Sequence, residues 1–146
     1  AGAGTGQVGE ALRTLGFTSL AALDRSQGML DLARSKGVYD TYHKHDLDQP
    51  LPFPAGSFDA VVSVGTSRYL APACLDEFAR VVRPQGLVLL MFSDARFVAS
   101  GFAAKASGLE ADGRLLLVAA SEPFKPMPDA LPDLVARLRL YRVGPS

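Results

Sequence analysis

Apolar positions along this chain recur at two spacings, and the switch between them marks out its elements. Val8, Ala11, Leu12 and Leu15 repeat at helical spacing, which predicts a helix over 7–15 with Gly16 as its stop. SLAALD at 19–24 is a short apolar run, as in a buried strand, and it ends in Asp24. Ser26 is placed to cap a second helix carrying Met29, Leu30 and Ala33, with Gly37 behind it. YDTYHKHD at 39–46 mixes polar and apolar side chains and includes Lys44, which assigns it to a sheet edge. Pro50, Pro52 and Pro54 make the next stretch a loop, because proline supplies no backbone donor.

The alternation continues in the second half. FDAVVSVGT at 58–66 is continuous and β-branched and predicts a buried strand. PACLDEFARVV at 72–82 predicts a helix with Leu75, Phe78, Ala79 and Val82 on one face. Arg83-Pro84-Gln85-Gly86 reads as a type I turn, and GLVLLMFS at 86–93 as the next buried strand. A helix over 97–110 precedes strands at 115–122 and 134–143, which are joined by proline-rich PFKPMPDALP. Strands alternating with helices imply an α/β fold with a mostly parallel sheet and helices on both faces. The last two strands have no helix between them and are expected to pair antiparallel. No internal repeat is visible, and 146 residues fit a single domain over 1–146.

Composition narrows this picture at a few points. An apolar fraction of 48% excludes wholesale disorder. Lys+Arg and Asp+Glu are both 15, so net charge provides no footprint for nucleic acid or an anionic membrane, and neither is expected as a partner. Cys74 is the only cysteine, which rules out an intrachain disulfide and fits a reducing, cytoplasmic setting. The longest apolar run, LVLLMF at 87–92, is too short to span a bilayer. The chain starts without Met and directly in a glycine turn, so upstream residues are expected.

That turn, AGAGTGQVGE, is the first candidate for chemistry. Gly4-Thr5-Gly6-Gln7-Val8-Gly9 matches G-x-G-x-x-G, and Asp24 lies 24 − 4 = 20 residues after Gly4, where a ribose-binding acid is expected. Glycines there let backbone N–H groups approach a ligand with no Cβ in the way. The stretch fits a dinucleotide site, a methyl-donor site or a flexible glycine-rich end.

The company it keeps separates these readings. AGAGTG, LDRSQGMLDLAR, HDLDQPLPFPAGSFDAVVSVGTSRYL and FARVVRPQGLVLLMF, in that order, resemble the class I S-adenosylmethionine-dependent methyltransferases from residue 1 to about residue 94. The tail, from LEADGRLLLV to RLRLYRV, resembles more loosely the methyltransferase-like group related to the Williams-Beuren region protein. The resemblance implies a Rossmann-like sheet. It also implies a first central strand, missing from this chain, between the 19–24 and 58–66 strands.

Carried onto these residues, the resemblance places Gly2, Gly4 and Gly6 against the methionine and ribose of the donor. Asp24 would accept from both ribose hydroxyls, as a two-oxygen acceptor is suited to do. Arg25 and Met29 would flank the adenine, Asp46 and Leu47 would read its amino edge, and Val64 and Gly65 would line the sulfonium. Thr66, Ser67, Arg68 and Tyr69 would face the acceptor, with Phe92, Ser93 and Lys125 on the same wall. Each residue also has a plainer reading: Asp24 as a helix cap or loop acid, Met29 as core, Asp46 as a turn residue, TSRY as an ordinary loop. His43 and His45 share a face of the edge strand and read as solvated. The family's Pro-Gly-Gly turn is Pro-Gln-Gly here, which a type I turn tolerates.

The implied cofactor is S-adenosylmethionine and the expected acceptor a small molecule. No metal site and no catalytic residue is assigned, since alignment on an already activated methyl group makes a base optional. Two alternatives stand beside this reading. One is a NAD-dependent oxidoreductase fragment, which leaves PLPFPAGSFD unexplained. The other is a methyltransferase-fold protein that binds without catalysis.

Overall fold

The computed structural model describes residues 1–145, which pack as two compact units, 1–51 and 52 onward. The first contains α1 (Gln7–Thr14), β1 (Ala21–Asp24), α2 (Gln27–Ser35) and β2 (Thr41–Lys44). β1 and β2 pair in parallel, from Ala21 opposite Thr41 to Asp24 opposite Lys44, with α2 as the crossover between them. Leu30 and Ala33 of α2 are buried, as are Ala22 and Leu23 of β1. Ser26 caps α2 as expected, its hydroxyl accepting from Met29 N at 3.3 Å.

α1 packs differently from its pattern. Leu15 is 74% exposed, and the buried positions at this end of the chain are Gly6 and Gly9. A Cβ on Gly9 would lie 2.7 Å from Cε2 of Tyr39, so the helix docks through a glycine onto an aromatic ring. The segment leading to β1 is tied down by Asp40. Its carboxylate accepts from Leu20 N at 2.8 Å and from Arg13 Nη2 at 3.2 Å. The Leu20 amide, helped by Arg13, holds this carboxyl below its ordinary range.

The second unit contains β3 (Phe58–Ser63), α3 (Cys74–Val81), β4 (Val82–Phe92), α4 (Asp94–Ala99), α5 (Phe102–Ala111), β5 (Leu115–Ala120) and β6 (Arg137–Val143). The strand order is β3-β4-β6-β5. β3 and β4 are parallel, and the terminal strands β5 and β6 are antiparallel as expected. The sheet is nevertheless less parallel than its alternating pattern implies. β6 is reached without a crossover helix and inserts between β4 and β5, so both of its ladders are antiparallel. Val88, Leu90 and Phe92 alternate inward along β4 to meet Phe78, Phe102 and Tyr141 in the core. The Phe92 ring lies 4.5 Å from Phe102 and 5.6 Å from Phe97, centroid to centroid.

Two local expectations are corrected. The helix expected over 97–110 is two helices, because Gly101 adopts φ 85 between them and starts a new one. The expected turn at 83–86 is an irregularity inside β4: Phe58 pairs with Val82, but Ala60 pairs with Leu87. Gln85 sits there at φ 65, the only non-glycine residue with positive φ among the described residues. A type I turn needs no such conformation, and for an L-residue it costs about 1–2 kcal/mol. Gly86 beside it is obligatory, since its Cβ would lie 2.6 Å from the Asp59 carbonyl oxygen. Gln85→Gly is therefore expected to stabilise the protein by about 0.5–1 kcal/mol, the left-handed strain less the entropy glycine adds to the unfolded chain. Chemical denaturation checks this, and an unchanged or lower midpoint would show that Gln85 is not strained.

Candidate functional site

The glycine turn enters α1 in left-handed backbone, with φ 67 at Gly2, 53 at Gly4 and 91 at Gly6. Gly6 is the N-cap residue, and its Cβ would meet Ala33 of α2 at 3.3 Å. Gly4 faces open space, with nothing within 4 Å of where a Cβ would stand. Gly2 N and Ala3 N both donate to the Leu23 carbonyl, at 2.8 and 3.0 Å, which fastens the turn to the end of β1.

Asp24 completes this arrangement. Its Oδ2 accepts from Gly4 N and its Oδ1 from Ser26 N, each at 2.9 Å. Neither a free loop acid nor a simple cap describes it, because one half-buried carboxylate joins the glycine turn to the start of α2. Each oxygen has a second lone pair beyond the one these bonds use. His45 N donates to the Asp24 carbonyl at 3.0 Å, so the ends of β1 and β2 stay together.

The other residues expected near adenine stand at this same carboxyl end of the parallel pair, where open α/β sheets bind ligands. Met29 is 41% exposed, which removes its reading as core. Arg25 is exposed and Leu47 is buried. Asp46 makes a turn, its Oδ1 accepting from Asp48 N and its carbonyl from Gln49 N, both at 3.0 Å. The histidines hold local structure: His45 Nε2 lies 3.0 Å from the Pro50 carbonyl and His43 Nε2 lies 3.1 Å from Thr41 Oγ1.

The remaining candidates belong to the second unit. Val64 and Gly65 follow β3, and Gly65 is exposed at φ 79. Ser63 Oγ and Thr66 Oγ1 are 2.6 Å apart, and Tyr69 N donates to Thr66 O at 2.9 Å, so 63–69 folds as a tight turn. The Tyr69 side chain is 59% exposed. Arg96 of α4 donates to the carbonyls of Ser67 and Arg68, at 3.1 and 3.2 Å. Phe92 is core rather than wall, Ser93 caps α4, and Lys125 is exposed in the proline-rich connection.

Sequence reading missed the group that sets α4. Asp94, at the start of that helix, is bonded by Arg137 at 3.2 and 3.3 Å and by Arg139. The Arg137 hydrogen bond, then that of Arg139, keeps the Asp94 carboxyl below its ordinary range. Arg139 is 8% exposed, and its guanidinium carbon lies 4.0 Å from the centroid of the Phe97 ring. Arginines alternating with leucine in RLRLYRV are the one sequence signal of this group.

The family described as Methyltransferase domain matches residues 1–90. The chain belongs to this methyltransferase family. It is 43% identical to human Methyltransferase-like protein 27 over 89 residues, which cover 60% of this chain and 36% of that protein. It is 40% identical to the malonyl-[acyl-carrier protein] O-methyltransferase of Yersinia pestis over 91 residues, 61% of this chain and 33% of that protein. The matched region thus spans about a third of the length of these curated relatives. The fold is similar to that of an S-adenosylmethionine-dependent methyltransferase from Mesorhizobium loti, with a TM-score of 0.71 and 18% identity over 97% of this chain and 88% of the other. The α/β architecture is therefore that of the Rossmann-like methyltransferases. Among the described residues no helix is long and apolar enough to cross a membrane.

The two kinds of glycine in the turn respond differently to a side chain. Gly9→Ala forces a Cβ into the Tyr39 ring and is expected to cost about 1–3 kcal/mol of stability, as overpacking does. Gly4→Ala has room and carries only the left-handed penalty of about 1–2 kcal/mol, so it should be the milder change. Denaturant titrations of both variants compare them directly, and a milder Gly9→Ala would mean that α1 does not dock through its glycine.

Proposed function

We propose that this chain forms one methyltransferase-like domain that binds S-adenosylmethionine and directs its methyl group to a small or carrier-borne acceptor. The observation that carries the reading is the Asp24 carboxylate. It is held at a strand end by Gly4 N and Ser26 N, with a lone pair left on each oxygen. Two vicinal ribose hydroxyls are the natural donors to such a carboxylate. The residues around it fit the rest of the donor: an open glycine at 4 for close backbone approach, and an exposed thioether at 29 to lie against a purine.

When bound, S-adenosylmethionine supplies a methyl group already activated by its positive sulfur. In this reading Gly2, Gly4 and Gly6 admit the methionine and ribose, while Arg25, Asp46 and Leu47 border the base. Val64 and Gly65 would line the sulfur and Thr66, Ser67, Arg68 and Tyr69 would face the acceptor, as the resemblance implies. What the chain contributes is orientation and the exclusion of water, and orientation alone is a large share of such catalysis. A NAD-binding reading shares the turn and the acid, but the family match and the helix-free, antiparallel last pair of strands favour a methyl donor. The likeness to human Methyltransferase-like protein 27 supports a place among methyltransferase-like proteins, and the resemblance of the tail is what points to their Williams-Beuren-related group. The likeness to an enzyme named for malonyl-[acyl-carrier protein] supports an acceptor of small-molecule or carrier-bound type, and the single cysteine fits a cytoplasmic setting.

Two measurements on the full-length protein test this. S-adenosylhomocysteine is expected to raise the melting temperature and NAD is not, because a ligand that binds only the native state stabilises it. A shift with NAD alone would reverse the assignment. Asp24→Asn replaces an acceptor with a donor and should weaken S-adenosylhomocysteine binding by about 1.5–3 kcal/mol in calorimetry. Because Asp24 also ties the glycine turn to α2, some loss of thermal stability should accompany it. Unaltered affinity would take Asp24 out of the site.

A further inference from the structure

We propose that Arg96 is a positioning residue that fixes the 66–69 loop, and that its own place is set from β6 through Asp94. The geometry stands without any assigned activity. That this loop faces an acceptor rests on the methyl-transfer reading above. Arg96 Nε and Nη2 donate to two successive carbonyls, those of Ser67 and Arg68. The planar fork makes both bonds in one fixed geometry, whereas a lysine ammonium is a point donor on a flexible stem, so lysine is not an equivalent residue here. Among the described residues no carboxylate pairs with Arg96, so these two carbonyls are its anchors.

The helix bearing Arg96 has six residues, too few to hold a position by itself. It is fastened at its start. Ser93 Oγ accepts from Arg96 N at 3.2 Å, and the Asp94 carboxylate is gripped by Arg137 and Arg139. Phe97, one residue on, is buried and lies under the Arg139 guanidinium. Arg137 and Arg139 belong to β6, where Arg137 is opposite Phe92 and Arg139 opposite Leu90. The order of dependence therefore runs from β6 to Asp94, to α4, to Arg96, to the loop carrying Thr66, Ser67, Arg68 and Tyr69.

The test compares Arg96→Gln, Arg96→Lys and the control Asp76→Asn in the full-length protein. Asp76 pairs with Lys105 at 2.5 Å and Arg114 at 2.8 Å, joining α3 and α5 to the residue before β5, so its loss lowers stability without touching the loop. Amide hydrogen exchange of the 64–70 peptide should quicken about tenfold in Arg96→Gln, the factor for losing a hydrogen bond with a charged donor. Arg96→Lys should restore part of the protection, and β4 amides should not change. Affinity for S-adenosylhomocysteine should stay within about twofold, as for sites with no shared partner. Faster exchange spread equally over β4, or the same loop pattern in Asp76→Asn, would reduce Arg96 to a general stabilising residue and overturn the proposal. A large loss of S-adenosylhomocysteine affinity in Arg96→Gln would move the loop to the donor side and overturn its acceptor role. A wild-type protein that binds no S-adenosylhomocysteine sinks the methyl-donor reading, while the exchange comparison still decides for or against Arg96.

Discussion

Strand β6 is hydrogen-bonded along both edges, and the organisation of the larger unit follows from that constraint. A strand paired on both sides lies within the sheet, so its inward side chains must be accommodated. Tyr141 and Val143 are apolar enough to join the core. Arg139 is not, and burying a guanidinium costs several kcal/mol unless a charge and a polarisable surface offset it. Asp94 provides the charge and the face of Phe97 the surface. Both residues come from the first turn of α4, so that helix has to begin where β4 ends. A pair whose carboxylate is exposed to solvent adds little to stability by itself. Its effect is to select one position for α4 over its neighbours.

In the smaller unit Asp24 does similar work with neutral partners. The three left-handed glycines allow the turn, but they do not compel it. The Leu23 carbonyl and the Asp24 carboxylate, both at the end of β1, draw Gly2, Ala3 and Gly4 back to the strand. The same carboxylate orders the entry to α2 through Ser26 N. Under the proposed function, a ribose arriving there meets acceptors already held in place. Binding then pays little ordering cost.

What was legible in the sequence is what depends on near neighbours. The strand ending in Asp24, the Ser26 cap and the helix behind it follow from residues a few positions apart. So does the pairing of the last two strands, since a proline-rich connection cannot supply a crossover helix. The buried side of α1 was illegible because its contact is Gly9 against Tyr39, and a glycine adds nothing to hydrophobic periodicity. At 83–86 the residue types suit a turn, yet pairing with β3 draws them into a strand and leaves Gln85 in left-handed backbone. The Asp94 group was illegible for a plainer reason: its partners lie 43 and 45 residues away along the chain.

Under the proposed function, the same division falls between the donor-binding and the acceptor-facing residues. The residues proposed for the donor are backbone N–H groups and one carboxylate at the end of a short parallel pair, so spacing along the sequence reveals them. The loop proposed to face the acceptor is held by Arg96, whose helix is fixed by arginines on a strand distant in sequence. Loops on a fixed scaffold are where related enzymes differ, and shared fold leaves their chemistry open. Here the anchor is electrostatic rather than packed: water can take the place of a guanidinium on two carbonyls, whereas nothing fills the space of a displaced core phenylalanine. A change in β6 that loosens Asp94 would therefore shift the loop while leaving the glycine turn and Asp24, in the other unit, as they are. Under the proposed function, donor binding and acceptor choice would then vary on separate residues.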